Sequence, residues 1–143
     1  MKKIITLIFL LTLSLPSFAG GVGYINYEKV IQNYQYAKTT LTQIETKNNE
    51  IKQYLMMKEN EFNKLESAVQ KQKFEATVQA ELKTKEQAFN DFRERKEEEV
   101  YNRIHAVTEK IRLEKGLDAI IDSRSVFSGG VDLTDDLIQK LNK

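Results

Sequence analysis

His105 is the sole histidine and the chain has no cysteine, so no His–His or Cys–His pair can form. A lone histidine on an exposed helix reads as solvated, and catalysis would need it to meet a carboxylate in a cleft. The run Glu97-Glu98-Glu99 offers carboxylates to a metal, but consecutive helical residues point about 100° apart and cannot converge by themselves. Beside Arg93, Arg95 and Arg103 it reads as a solvated, mixed-charge face. No glycine-rich phosphate loop interrupts the long central run, and Gly129-Gly130 reads as a turn. The chain is expected not to be an enzyme, to use no cofactor and to hold no metal.

What the residue types do supply is adhesion. Tyr54, Met56 and Met57 cannot all face a partner helix if Ile51, Leu55 and Lys58 do. Methionine is flexible and polarisable, suited to surfaces that accept many shapes. Phe74 and Val78 fall near the expected tip of a hairpin, where they either pack across its end or meet a bound chain. These five residues are the candidate binding positions.

The elements that must carry them follow from spacing. From Tyr24 to Lys115 there is neither glycine nor proline. Apolar positions recur as Val30, Tyr34, Ala37, Leu41, Ile44, Asn48, Ile51, Leu55, Lys58, Phe62, Leu65, Val69, the 3.5-residue period of a coiled-coil seam. Register fails through Gln70-Lys71-Gln72-Lys73 and resumes as Phe74, Val78, Leu82, Lys85, Phe89, Phe92, Lys96. It then continues through Val100, Ile104, Val107, Ile111 after an added residue, a stutter. Two antiparallel helices are therefore expected, with a tip near residues 70–75. Asn48, Lys58, Lys85 and Lys96 occupy seam positions, where they either specify register or loosen the arm.

Both ends of this run lead into strand-like segments. Val22, Tyr24 and Ile25 precede it, with Asn26 as helix N-cap. Beyond Gly116, a C′ residue, Leu117, Ala119 and Ile121 alternate as a strand, and Ser125 to Ser128 read as a second. Thr134 caps a closing helix with Asp135 and Asp136 in its first turn.

Residues 1–19 read as a secretory leader. Lys2 and Lys3 precede the apolar stretch Ile4 to Leu15, and Ser17 and Ala19 give a small-x-small end cut after Ala19. As a helix that stretch reaches about 18 Å, short of a bilayer core of roughly 30 Å. Cleavage removes two lysines and leaves 20 basic against 21 acidic residues, a balance that gives no support for nucleic-acid binding. The expected layout is a leader (1–19), an N-terminal strand (20–27), an arm (28–115), and closing strands with a helix (116–143).

The ends also carry a resemblance. Val22-Gly23-Tyr24-Ile25-Asn26 entering a long charged helix is similar to the start of the Skp (OmpH-type) periplasmic chaperones. So are the junction Glu114-Lys115-Gly116-Leu117-Asp118-Ala119-Ile120-Ile121-Asp122 and the close Val131-Asp132-Leu133-Thr134-Asp135-Asp136-Leu137-Ile138-Gln139-Lys140-Leu141-Asn142. The resemblance implies a mainly α fold with a small β body, from which a long antiparallel helical hairpin projects as a coiled-coil arm. It further implies a homotrimer joined through the body, here Val22, Tyr24, Ile25, Leu117, Ala119, Ile121, Val126 and Phe127. Unfolded outer-membrane proteins would be held between the arms in the periplasm without ATP. Family members are often markedly basic and this chain is near neutral, which leaves membrane or lipopolysaccharide contact open. The rival reading is a periplasmic coiled-coil scaffold or envelope adaptor that binds one folded partner.

Overall fold

A long helical hairpin rises from a three-stranded sheet in the computed structural model, which describes residues 20–143. The expected leader lies outside the described residues. In chain order the elements are β1 (Val22–Ile25), α1 (Tyr27–Asn33), α2 (Gln35–Asn63), α3 (Ala68–Glu114), β2 (Ala119–Asp122), a 3-10 turn (Ser123–Ser125), β3 (Val131–Asp132) and α4 (Thr134–Leu141). The architecture is the expected one, mainly α with a small β body and a long hairpin arm.

The sheet order is β2-β1-β3, and both neighbours run parallel to β1. The hairpin makes this possible. It carries the chain out and back, and Gly116 (φ 63°) then reverses direction so that β2 lies alongside β1 in the same sense. Gly116 N–H bonds the Leu113 carbonyl and Leu117 N–H the Arg112 carbonyl, the Schellman pattern that closes a helix on a left-handed residue. At the other end, Asn26 Oδ1 accepts from Lys29 N–H at 2.9 Å and caps α1 as expected.

The core sits where the body meets the arm. Ile25, Val30, Tyr34, Ala37, Val100, Ile104, Ile111, Leu117, Leu133 and Leu137 are buried together. Gly23 lets helix and sheet approach closely, since a Cβ there would meet Leu133 Cδ1 at 2.5 Å and Leu117 Cδ1 at 3.0 Å.

Three features depart from the sequence reading. The hairpin turns at residues 64–67, with 3-10-type bonds from Lys64 N–H to the Glu61 carbonyl and Leu65 N–H to the Phe62 carbonyl. The polar tract expected at the tip lies inside α3, because glutamine and lysine are good helix formers and their polarity marked a solvated face. Ser125 to Ser128 form no strand. The Asp122 carboxylate accepts from Arg124 N–H at 2.9 Å and curls the chain into the 3-10 turn, so the third strand waits until Val131. Finally, Thr134 is the first helical residue rather than the cap. Its hydroxyl and amide both engage Asp132 Oδ1, at 2.6 and 2.9 Å.

Replacing Gly116 with alanine should lower stability by about 1–2 kcal/mol, because alanine must adopt the left-handed conformation there. Urea unfolding of the mature protein measures this, with helicity in the native state unchanged. An unaltered midpoint would contradict the role given to the reversal.

Candidate binding surface on the arm

Two helices side by side bury one stripe each, and along this arm the stripe is thin. Near the root Tyr34, Ala37 and Thr40 are buried against Val100 and Ile104. From Leu41 to Glu99 no residue is buried. The distal arm is held by half-buried contacts alone.

Those contacts are aromatic and cationic more than aliphatic. The Phe62 and Phe74 rings meet across the hairpin at 6.2 Å. Lys58 Nζ lies 5.5 Å from the Phe74 ring and 5.7 Å from that of Tyr54; Lys85 lies 4.7 Å from Tyr54, and Lys71 5.2 Å from Phe62. Each such pair is worth about 0.5–1 kcal/mol at an exposed site. Lys58 and Lys96 are half-buried, with carboxylate partners Glu61 at 2.9 Å and Glu99 at 3.2 Å, while Asn48 and Lys85 are exposed. The seam lysines thus cover rings and pair with glutamates.

The five candidate residues divide. Tyr54 lies on the seam, half-buried, and donates to the Glu81 carboxylate, a hydrogen bond that pushes its phenol up to about 12. Leu55, read as a seam residue, is 39% exposed instead. An α-helix turns every 3.6 residues and drifts from a strict 3.5 repeat, so the larger ring one position back takes the contact. Met56 and Met57 are exposed, at 63% and 57%. Phe74 and Val78 pack across the hairpin and also line an open groove of about 490 Å³ with Leu55, Lys58, Glu59, Phe62, Glu75 and Gln79. Leu55 stands at the rim of the groove that Phe62, Phe74 and Val78 floor, while Met56 and Met57, about 100° and 200° further round the helix, are exposed outside it.

A second groove of about 550 Å³ was not anticipated. Thr39, Thr42, Gln43, Thr46 and Lys47 line it with Phe92. The threonine hydroxyls donate to their own helix, Thr39 to the Gln35 carbonyl, Thr42 to Lys38 and Thr46 to Thr42, so their one proton each is already committed while their lone pairs can still accept. The sequence signal was three threonines on one flank, which polarity alone hides.

In the body, Val22, Tyr24, Ala119 and Ile121 point away from the core while Gly23, Ile25 and Ile120 point into it. Val126 and Phe127 extend that outer face, which surrounds a depression of about 340 Å³, and Phe127 is fully exposed at 105%. Of the residues expected to join subunits, Ile25 and Leu117 are buried inside the protomer. Val131, paired with Gly23 on the edge strand, is exposed.

The groups with catalytic potential are engaged otherwise. His105 stacks on Tyr101 at 6.0 Å. Glu97 faces Arg93 at 4.0 Å, and Glu99 pairs with Lys96 and Arg103. Among the described residues, no three His, Cys, Asp or Glu side chains gather as metal ligands.

A two-helix arm with a thin seam on a small parallel body defines a class of long-armed protein. The chain belongs to the OmpH-like outer membrane protein family, whose pattern matches residues 21–141. A solved structure described as that of an OmpH-like outer membrane chaperone from Caulobacter crescentus CB15 shares the fold at 12% identity. Its TM-score is 0.61, over 86% of this chain and 84% of that one. No curated protein sequence matches significantly.

Glu99 supplies a pH test of the arm root. Its carboxyl falls from an ordinary 4.5 to about 2, through hydrogen bonds from Tyr36 first, then Lys96 and Arg103. A lowered folded-state pKa adds stability that is complete above the unfolded value and lost as pH falls toward the folded one. Glu99→Gln should therefore be less stable than the parent at pH 7, with the gap closing between about pH 5 and pH 2. Urea midpoints across that window check it; a gap independent of pH would remove the charge from the account.

Proposed function

We propose that this protein is an ATP-independent periplasmic holdase that binds unfolded outer-membrane proteins between helical arms and prevents their aggregation. The observation that carries the reading is an arm with nothing buried from Leu41 to Glu99, which presents an open groove floored by Phe62, Phe74 and Val78 with Leu55 at its rim, and Met56 and Met57 exposed on the same helix. Such an arm offers apolar contact without first having to open a core. Family membership and the chaperone description of the Caulobacter structure support the same reading. Among the described residues no helix is long and apolar enough to cross a membrane.

The outer face of the sheet supports a homotrimer. Val22, Tyr24, Ala119, Ile121, Val126 and Phe127 form an apolar surface on a small body, of the kind that marks a protein contact. Three arms would gain by multivalency what each weak contact lacks, and release would follow as contacts let go one at a time. Near-neutral charge gives no added weight to membrane or lipopolysaccharide contact.

One observation favours the adaptor reading as well. The groove and the exposed Leu55, Met56 and Met57 lie at one height near the tip, which suits a single folded partner. Pull-down separates the two readings, since a holdase returns many nascent membrane proteins and an adaptor one or two folded ones.

Purified mature protein should keep a urea-diluted outer-membrane β-barrel protein from scattering light at stoichiometric amounts. Met56→Ser with Met57→Ser should weaken this about threefold to tenfold, since two exposed side chains each contribute a fraction of their burial energy at every arm. Aggregation proceeding unchanged at about threefold molar excess of trimer would sink the holdase reading. Sedimentation equilibrium should give three subunits, and Phe127→Asp should shift the assembly toward monomer.

A further inference from the structure

The helical pattern runs through Ile31 to Ala37 without glycine or proline, yet the helix breaks at Tyr34, whose backbone is extended (φ −86°, ψ 114°). An unbroken helix would join Gln35 N–H to the Ile31 carbonyl and Ala37 N–H to the Asn33 carbonyl. A side chain from the far end of the sequence stands in that gap. Gln35 N–H donates to Asn142 Oδ1 at 2.9 Å, and Asn142 Nδ2 donates to the Asn33 carbonyl at 2.9 Å. A side chain inserted into the helical ladder is a recognised cause of a sharp bend. A carboxamide presents a donor and an acceptor side by side on one carbon, and the two backbone partners fix which way it faces.

We infer that Asn142 is a positioning residue whose carboxamide splices α1 to α2 and sets the corner at which the arm leaves the body. The corner has a consequence for packing. In a continuous helix Tyr34 and Tyr36 would point about 200° apart. Across the break both turn toward α3, with ring centroids 5.9 Å apart; Tyr34 is buried and the Arg103 guanidinium lies 4.1 Å from the Tyr36 ring. Arg103 in turn holds Glu99 at 3.1 Å. The splice thereby seats α2 on α3 just where the buried part of the seam begins.

The carrier of the splice is well anchored. Leu137 of α4 is fully buried, Asn26 N–H donates to Thr134 Oγ1 at 2.9 Å, and Lys29–Asp135 and Lys115–Asp136 pair at 2.7 and 3.3 Å. Lys140 meets Glu114 as well. α4 thus joins the ends of α1 and α3 and hands Asn142 to the break. The inference concerns arm geometry and stands apart from what the arm binds.

Hydrogen exchange resolved to single residues on the mature protein tests it with two variants of similar shape. Asn142→Leu removes donor and acceptor, while Asn142→Asp keeps the acceptor. Exchange at Gln35 should rise about tenfold in Asn142→Leu, as expected for loss of its bond, and by less in Asn142→Asp, whose carboxylate still accepts from Gln35 N–H but sets an oxygen against the Asn33 carbonyl. The cysteine-free sequence allows spin labels at Lys52→Cys and Lys83→Cys, diluted with unlabelled chains, and their distance distribution should broaden in Asn142→Leu. Parental exchange and distances in both variants would overturn the inference. So would equal loosening of Gln35 and of the α4 amides in both, which would make Asn142 a tether for α4 only.

Discussion

Two paired helices share only a narrow strip, and beyond the root of this arm that strip buries no side chain completely. The body can bury side chains from several directions because α1, α4, the sheet and the end of α3 converge there. The arm has only two surfaces to press together. It stays associated through Phe62 on Phe74, through lysines laid over rings, and through the Tyr54–Glu81 bond. These interactions tolerate water on one side, as aliphatic packing does not.

Burial and exposure are therefore assigned to opposite ends of the same helices. At the root, Ala37 and Thr40 are small enough for α2 to lie close on Val100 and Ile104, and the Tyr36–Arg103–Glu99–Lys96 group ties the helices with charge. Toward the tip the same helices keep their direction but lose their interior. Side chains such as Met56 and Met57 stay in solvent there because no third element exists to cover them. Their exposure is a matter of geometry before it is a matter of function.

The hairpin and the body were legible because long periodicity and glycine placement are robust signals. Gly116 marked the reversal, Asn26 the entry, and Val22 and Ile121 the strands. What escaped notice depended on residues remote in sequence. The break at Tyr34 is written in Asn142, more than a hundred positions away, and no local propensity betrays it. The turn was misplaced because a polar tract and a helix end look alike when only apolar spacing is followed. Tyr54 and Leu55 exchanged places because a strict 3.5 repeat assigns positions without regard to ring size.

The sheet order has one further implication, for the sequence of events in folding. β1, the first strand made, is the central one, and both of its neighbours come from the last quarter of the chain. The helices can form locally and quickly, whereas the body requires contacts that span almost the whole sequence. A growing chain would possess an arm long before it possesses a body. In the proposed trimer, assembly through the sheet would have to wait for completed chains, and that delay would screen out partial ones without any separate proofreading device.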